Sequence, residues 1–331
     1  MRIAISSDAW HPQINGVVTT LTRTINELEN RGHQVLTITP DQCTTIPCPS
    51  YPEIRLALRP RAIVARCLRE FIADAIHIAT EGPIGLATRA YCVEHQVAFT
   101  TSLHTRLPEY LRLRLPIPLS WGYGYLRWFH RPAWRILVAV PSFKKELEAH
   151  GLSRMVTWSR GVDLSLFRPY DKHFLQAERP IFMYMGRVAV EKNVEDFLKL
   201  DLPGTKYVIG DGPDLQPLRK HYPNVVFTGY KVGLELAYHL ASADVFVFPS
   251  KTDTFGLTIL EAMGCGVPVA AYPVQGPIDL IIDGENGFVD RDLRAAALKC
   301  LSVDGEKCRQ SVMGYSWQAS TTQFLGHLFV I

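Results

Sequence analysis

The chain has 331 residues, of which 47% are apolar and 20% charged; this length exceeds a usual single core, and the composition excludes a disordered or low-complexity protein. Seven cysteines with no C-x-x-C pair argue against a disulfide framework and a zinc ribbon, and the cytosol is the simplest compartment. The net charge of +3 hides an asymmetry: residues 1–170 hold 20 Lys and Arg against 13 Asp and Glu, and residues 171–331 hold 15 against 19, so the halves carry +7 and −4. Of the 20 cations in the first half, 18 are Arg, which suits phosphate or carboxylate head groups as partners.

In chain order, MRIAIS is too short for the apolar region of a signal peptide and predicts a first buried strand at 2–6. A helix over 17–31 follows, with Val18, Leu21, Ile25 and Leu28 at core spacing and Gly32 as its stop. Further strands are predicted at 34–39, 75–79, 97–101 and 136–140, then at 181–185, 206–210, 224–227, 244–248 and 267–271. Their alternation with amphipathic helical stretches predicts parallel sheets of βαβ units, hence two Rossmann-like domains. Between the halves, residues 158–180 are punctuated by Gly161, Pro169 and Pro180 and read as a connector. Residues 262–278 lack charge, but Gly264, Gly266, Pro268, Pro273, Gly276 and Pro277 break them up, so no transmembrane helix is predicted.

Residues 250–271, SKTDTFGLTILEAMGCGVPVAA, carry the most informative pattern. Asp253 precedes a predicted helix and Glu261 stands nearly two turns inside it, so at about 1.5 Å of rise per residue the carboxylates flank the length of a sugar and diphosphate. Between them, the helix start around Phe255, Gly256 and Leu257 offers backbone N–H groups and the positive end of the helix dipole, which together suit an anion. One such site can hold a whole nucleotide-sugar.

This stretch resembles the signature of the retaining glycosyltransferases of family 4, which have the GT-B fold and carry two glutamates at this spacing. Here the first is Asp253. The TDTFG variant looks most like the members that glycosylate membrane lipids, the phosphatidylinositol mannosyltransferases and the sulfoquinovosyl or glucosyl diacylglycerol synthases. The resemblance implies an α/β chain of two Rossmann-like domains facing across a cleft. Residues 1–168 would bind the acceptor and 169–313 the nucleotide-sugar, while 314–331 form a helix crossing back to the first domain.

Other motifs align with that resemblance. In GRVAVEKN, 186–193, Arg187 and Lys192 lie in a loop after a predicted strand; read alone it is a solvated loop or a diphosphate site, and the family binds the donor's diphosphate there. Asn15 and Gly16 sit in HPQINGVV, either an ordinary βα turn or, as the family implies, the loop facing the transferred sugar and the acceptor. His104, in HTRLPEYL, is by itself a structural histidine or a site residue; lipid-type members place their catalytic-pocket histidine in such a motif. Tyr230 and Lys231 fall where the family holds the base. GDGP at 210–213 lacks the third glycine of a dinucleotide fingerprint and reads as a turn. Asp290 and Asp292 mimic a metal-binding D-x-D, but the helical pattern beginning after them favours an N-cap, and no obligatory metal or cofactor is predicted.

Residues 55–71 carry five Arg and one Glu among apolar residues, a composition suited to an anionic membrane surface, with Arg59, Arg61, Arg66 and Arg69 as its contacts. Trp121, Tyr123, Tyr125, Trp128, Phe129 and Trp134, within 110–135, read mostly as core and alternatively as interfacial. The resemblance thus implies transfer of a hexose from a GDP- or UDP-linked sugar to a membrane lipid, with retention, by a cytoplasmic enzyme peripheral on the inner face and with no nucleic-acid partner. Arg187, Lys192 and the helix start would stabilise the leaving diphosphate; Asp253 and His104 would orient the sugar, and Glu261 the ribose. The alternatives are the same reaction on a soluble or lipid-linked glycan, a nucleotide-sugar epimerase of GT-B architecture, and a non-enzymatic nucleotide-binding module.

Overall fold

The computed structural model describes residues 1–13, 15–48, 51–112 and 117–331. The chain divides into two compact units, Met1–Arg160 with Trp317–Ile331 (unit 1) and Gly161–Ser316 (unit 2).

Unit 1 begins with β1 (Arg2–Ser6), α1 (Gly16–Asn30), β2 (Gln34–Ile38), the hairpin β3 (Thr45–Cys48) and β4 (Tyr51–Ala57), α2 (Arg61–Phe71), β5 (Ala75–Ile78) and α3 (Pro83–Glu94). It continues with β6 (Thr100–Leu103), α4 (Leu107–Arg112), α5 (Leu119–His130), β7 (Ile136–Val138), α6 (Pro141–Ala149) and β8 (Met155–Thr157). The sheet has the order β2-β1-β5-β6-β7-β8, with every neighbouring pair parallel. The two-residue period of a strand sorts its side chains to two cores. Ile3 and Ile5 face Leu21, Ile25 and Leu28 of α1, whereas Ala4 joins Val64, Leu68 and Ile84 of α2 and α3 on the other side.

Unit 2 runs β9 (Ile181–Met185), α7 (Val194–Leu198), β10 (Thr205–Ile209), α8 (Leu215–His221), β11 (Val226–Gly229), α9 (Gly233–Ala241) and β12 (Val245–Phe248). After these come α10 (Leu257–Gly264), β13 (Val269–Ala271), α11 (Pro277–Leu280), β14 (Gly287–Val289), α12 (Leu293–Cys300) and α13 (Gly305–Gln310). Its parallel sheet has the order β11-β10-β9-β12-β13-β14, the doubly wound Rossmann order. Central β9 and β12 are buried along their whole length, as strands covered on both faces must be. The last helix, α14 (Trp317–His327), returns to unit 1, where Phe324 is fully buried against Trp158.

Two differences from the sequence expectation have local causes. The strand expected at 97–101 starts at Thr100, because α3 ends in a left-handed turn at Gln96 (φ 55°) and Val97 N–H bonds back to the Cys92 carbonyl at 2.9 Å. The β3–β4 hairpin was not among the expected strands; it is an antiparallel pair outside the main sheet, a setting that tolerates its prolines.

Candidate functional site

In unit 2 the strand order reverses at β9 and β12, where open α/β sheets bind ligands beyond the strands' carboxyl ends. The loop after β9 carries Arg187 and Lys192, and the loop after β12 carries Asp253, Phe255 and Gly256. Three backbone bonds brace the first loop: Gly186 N–H to Ile209 O at 2.9 Å, Val188 N–H to Asp211 O at 2.9 Å and Asp214 N–H to Val188 O at 3.1 Å. Tyr184 adds its hydroxyl, donating to the Arg187 carbonyl at 2.7 Å. Burial pushes that phenol's pKa well above its ordinary value, with Asp253 and Glu191 adding to the effect, so it stays a donor. Gly210 (φ 139°) lies so close that a Cβ there would meet the Gly186 carbonyl oxygen at 1.9 Å. The GDGP turn therefore supports the Arg187 loop.

The two loops are cross-linked. Asn193, in a left-handed conformation (φ 52°), donates to the Pro249 carbonyl at 3.1 Å, and Thr252 Oγ1 donates to the Glu191 carbonyl at 2.9 Å. Lys192 Nζ meets Asp253 Oδ1 at 2.5 Å. Asp253 Oδ2 is buried and has no hydrogen-bond partner among the described residues. Immediately beyond, Gly256 (φ 89°) opens α10; Ile259 N–H bonds to its carbonyl at 2.9 Å, but no side chain caps the helix among the described residues, so its positive pole is left uncovered for an acceptor. Phe255 is buried, and only its backbone is placed to serve a ligand; Leu257 is the first helical residue and Glu261 lies partly exposed one turn on. Tyr230 and Lys231 follow β11, two strands from β9; the Tyr230 ring is half exposed, while Lys231 pairs with Glu235 at 2.5 Å. Asp292 caps α12 by accepting from Arg294 N–H and Ala295 N–H.

In unit 1, Asn15 is the N-cap of α1: Oδ1 accepts from Val17 N–H and Val18 N–H, both at 3.0 Å. Gly16 opens the helix without a positive φ. The start of α1 has thus spent two of its N–H groups on its own cap. His104 stands just past β6 with both ring nitrogens engaged, Nε2 with Ser102 Oγ at 2.8 Å and Nδ1 with Arg160 Nη2 at 3.1 Å. Burial, then the Arg160 charge, then His77 hold its pKa well below the ordinary histidine value, so the ring is neutral. A hydroxyl that binds His104 through a ring nitrogen must displace one of these partners.

Sequence reasoning missed Asp8. Its carboxylate crosses from the β1 loop to α3, accepting from Thr80 Oγ1 at 2.8 Å, Ile84 N–H at 2.7 Å and Gly85 N–H at 3.2 Å. Burial outweighs these bonds and raises its pKa. An aspartate two residues past a buried strand was the available signal. It also missed Arg160, placed in the connector, which is buried.

Arg59, Arg61, Arg66 and Arg69 are all exposed on or next to α2, with Leu58 and Ile72 exposed beside them. Of the aromatic segment 110–135, residues 113–116 lie outside the described residues. Tyr123 and Phe129 are core, but Trp121, Trp128 and Trp134 are exposed, a correction to the mostly buried reading. Arg89 covers the Trp128 ring at 4.1 Å, which lets a tryptophan face solvent. Among the described residues no helix is long and apolar enough to cross a membrane.

Two Rossmann-like units, the second with cations, a carboxylate and an uncapped helix start at its switch point, define the GT-B glycosyltransferase class. A solved sucrose-phosphate synthase from Thermosynechococcus elongatus shares this fold with a TM-score of 0.78 at 20% identity, covering 98% of this chain and 97% of that one. The family profile described as Glycosyltransferase Family 4 matches residues 14–166, and that described as Glycosyl transferases group 1 matches residues 179–303. A GDP-mannose-dependent alpha-mannosyltransferase of Mycolicibacterium smegmatis is 32% identical over 99% of this chain and 96% of its own length. An alpha-monoglucosyldiacylglycerol synthase of Streptococcus pneumoniae is 25% identical over 98% of this chain and 83% of that protein. The chain belongs to glycosyltransferase family 4, and it is a hexosyltransferase.

Proposed function

We propose that this enzyme transfers a hexose, with retention, from a nucleoside diphosphate sugar to the hydroxyl of a membrane lipid. The observation that carries the reading is the arrangement at the unit 2 switch point: Lys192 paired with Asp253, the second carboxylate oxygen buried without a hydrogen-bond partner among the described residues, and α10 starting without a side-chain cap four residues later. That oxygen suits a sugar hydroxyl, and the helix start suits a phosphate. GDP-mannose is the favoured donor, supported by the full-length similarity to a GDP-mannose-dependent alpha-mannosyltransferase. An alpha product from GDP-mannose, whose anomeric bond is itself alpha, is retention. A lipid acceptor is supported by the similarity to a synthase whose product is a glucosylated diacylglycerol.

In the reaction the acceptor oxygen bonds to the anomeric carbon as the bond from that carbon to the phosphate oxygen breaks, and the acceptor proton passes to the leaving phosphate. Negative charge grows on the diphosphate during this step. Arg187, Lys192 and the N–H groups around Phe255, Gly256 and Leu257 stabilise it more in the transition state than in the ground state. Asp253 and His104 orient the sugar, Glu261 binds the ribose, Tyr230 and Lys231 hold the base, and the loop of Asn15 and Gly16 faces the transferred sugar. Arg59, Arg61, Arg66 and Arg69 hold the enzyme peripherally on an anionic bilayer at the cytoplasmic face.

The test is a screen of GDP-mannose, GDP-glucose, UDP-glucose and UDP-galactose against a total lipid extract, with products resolved by mass spectrometry. A hexosylated lipid of alpha configuration is expected with GDP-mannose. Transfer only to glycan, isomerised donor, or unaltered donor overturns the lipid reading.

A further inference from the structure

Arg160 ends the connected part of unit 1 with its guanidinium buried, 3% exposed. It donates from Nη1 to the Trp158 carbonyl at 2.6 Å and from Nη2 to His104 Nδ1 at 3.1 Å, and it lies 4.3 Å from the Trp158 ring centroid. Burial lowers its pKa to about 9, with no carboxylate paired to it among the described residues, so it remains a cation at neutral pH. A buried cation without a counter-charge is costly. What it touches shows what that cost sustains.

Arginine has no acceptor, so its bond to His104 requires a lone pair on Nδ1. The single proton of the neutral ring then sits on Nε2 and points at Ser102 Oγ, 2.8 Å away. Ser102 in turn reaches His77 Nε2 at 3.1 Å and the Ala79 carbonyl at 3.3 Å, and His77 Nδ1 reaches Thr100 Oγ1 at 2.9 Å. Flipping the His104 ring would present carbon to both Arg160 and Ser102. Behind the chain of bonds, Trp158 Nε1 donates to the Ser320 carbonyl and hydroxyl at 3.2 Å, and Phe324 packs edge-on against His77 with centroids 4.9 Å apart. The scaffold is thus closed from Arg160 to Thr100.

We propose that Arg160 is a positioning residue that fixes His104 as the neutral, Nε2-protonated tautomer, so that His104 meets the transferred sugar as a hydrogen-bond donor and never as a base. This rests on the reading above that His104 contacts the sugar. A sugar hydroxyl taking the place of Ser102 accepts from Nε2–H. No proton can be taken up there, because Nε2 is already protonated and Nδ1 is held by Arg160.

Long-range 15N–1H spectra of the full chain, labelled at histidine and recorded at neutral pH, test the tautomer directly. The parent should show His104 protonated on Nε2 alone. Arg160→Met should release it into exchange between tautomers, and Arg160→Lys, which also only donates, should restore it. A His104 protonated on Nδ1, an imidazolium in the parent, or an unchanged spectrum in Arg160→Met overturns the proposal; should the Met variant not fold, the parent and Lys spectra decide. Kinetically, Arg160→Met should lower kcat by up to about 10²-fold, the scale of a displaced reacting geometry, with donor KM little changed and with partial recovery in Arg160→Lys. A loss confined to KM contradicts positioning. Adding GDP-mannose should move the His104 Nε2 resonance; a fixed tautomer that ignores every donor tried counts against the proposed function and not against the hold of Arg160 on the ring.

Discussion

Each unit places two loops where the order of a parallel sheet reverses, after β1 and β5 in unit 1 and after β9 and β12 in unit 2. In unit 1 that space is closed from within: the Asp8 carboxylate takes the first N–H groups of α3, and Asn15 takes those of α1. In unit 2, α7 and α10 both begin without a side-chain cap, and the nearby carboxylate, Asp253, is turned to Lys192 with one oxygen unpartnered among the described residues. The same architecture therefore supplies two crevices of different chemistry. A side-chain acceptor at the helix start makes the crevice structural; a start without one leaves the positive pole for an anion from outside.

The sharpest way to break this contrast is Lys192→Ala or Arg187→Ala. Each should lower turnover by about 10² to 10³, as loss of one preorganised charged donor does, with little change in unfolding temperature. A large loss of stability with turnover intact would make the unit 2 crevice as structural as that of unit 1. Asp8→Ala should behave oppositely, costing about 1–3 kcal/mol in urea unfolding because buried N–H groups lose their acceptor, while calorimetry finds donor affinity preserved. A strong loss of affinity with stability unchanged would erase the distinction.

A smaller effect concerns acid. Burial lowers the His77 pKa from 6.5 to about 3, so the folded state favours the neutral ring. Its contribution to stability is complete above about pH 6.5 and is lost as pH falls toward 3, with a slope of up to about 1.4 kcal/mol per pH unit from this histidine. His77→Gln should flatten the urea midpoint of the full chain over that range, and an unchanged slope would contradict the assignment. Smallest of all, Arg59→Gln, Arg61→Gln, Arg66→Gln and Arg69→Gln should each weaken binding to anionic vesicles by about 1 kcal/mol, with Lys220→Gln in unit 2 as the neutral control. Equal effects from both units would show a diffuse attraction rather than a surface on α2.

The strand and helix rhythm was legible because long buried strands such as IFMYM and an amphipathic α1 carry their periods openly. The three-residue strands β7 and β13 still showed as fully buried apolar runs, whereas β8 and β14, equally short but buried at only one residue each, did not. The placement of Arg187, Lys192 and Asp253 at the unit 2 switch point was readable because they sit in loops after strands, although the Lys192–Asp253 bond itself joins residues 61 apart. The burial of Arg160 was not, since the short strand β8 before it was not expected and Gly161 next to it reads as the start of a connector. The three exposed tryptophans escaped for want of faces: between Gly122 and Gly124 the apolar period of α5 does not say which side meets the sheet.

The return of α14 to unit 1 has a consequence for synthesis. A ribosome delivers all of unit 2, through Ser316, before Ser320 and Phe324 exist to complete the packing around Trp158 and His77. Domains made first usually fold first. Here the unit that emerges earlier is finished later, so a nascent chain carries a complete second unit attached to a first whose core still lacks one wall.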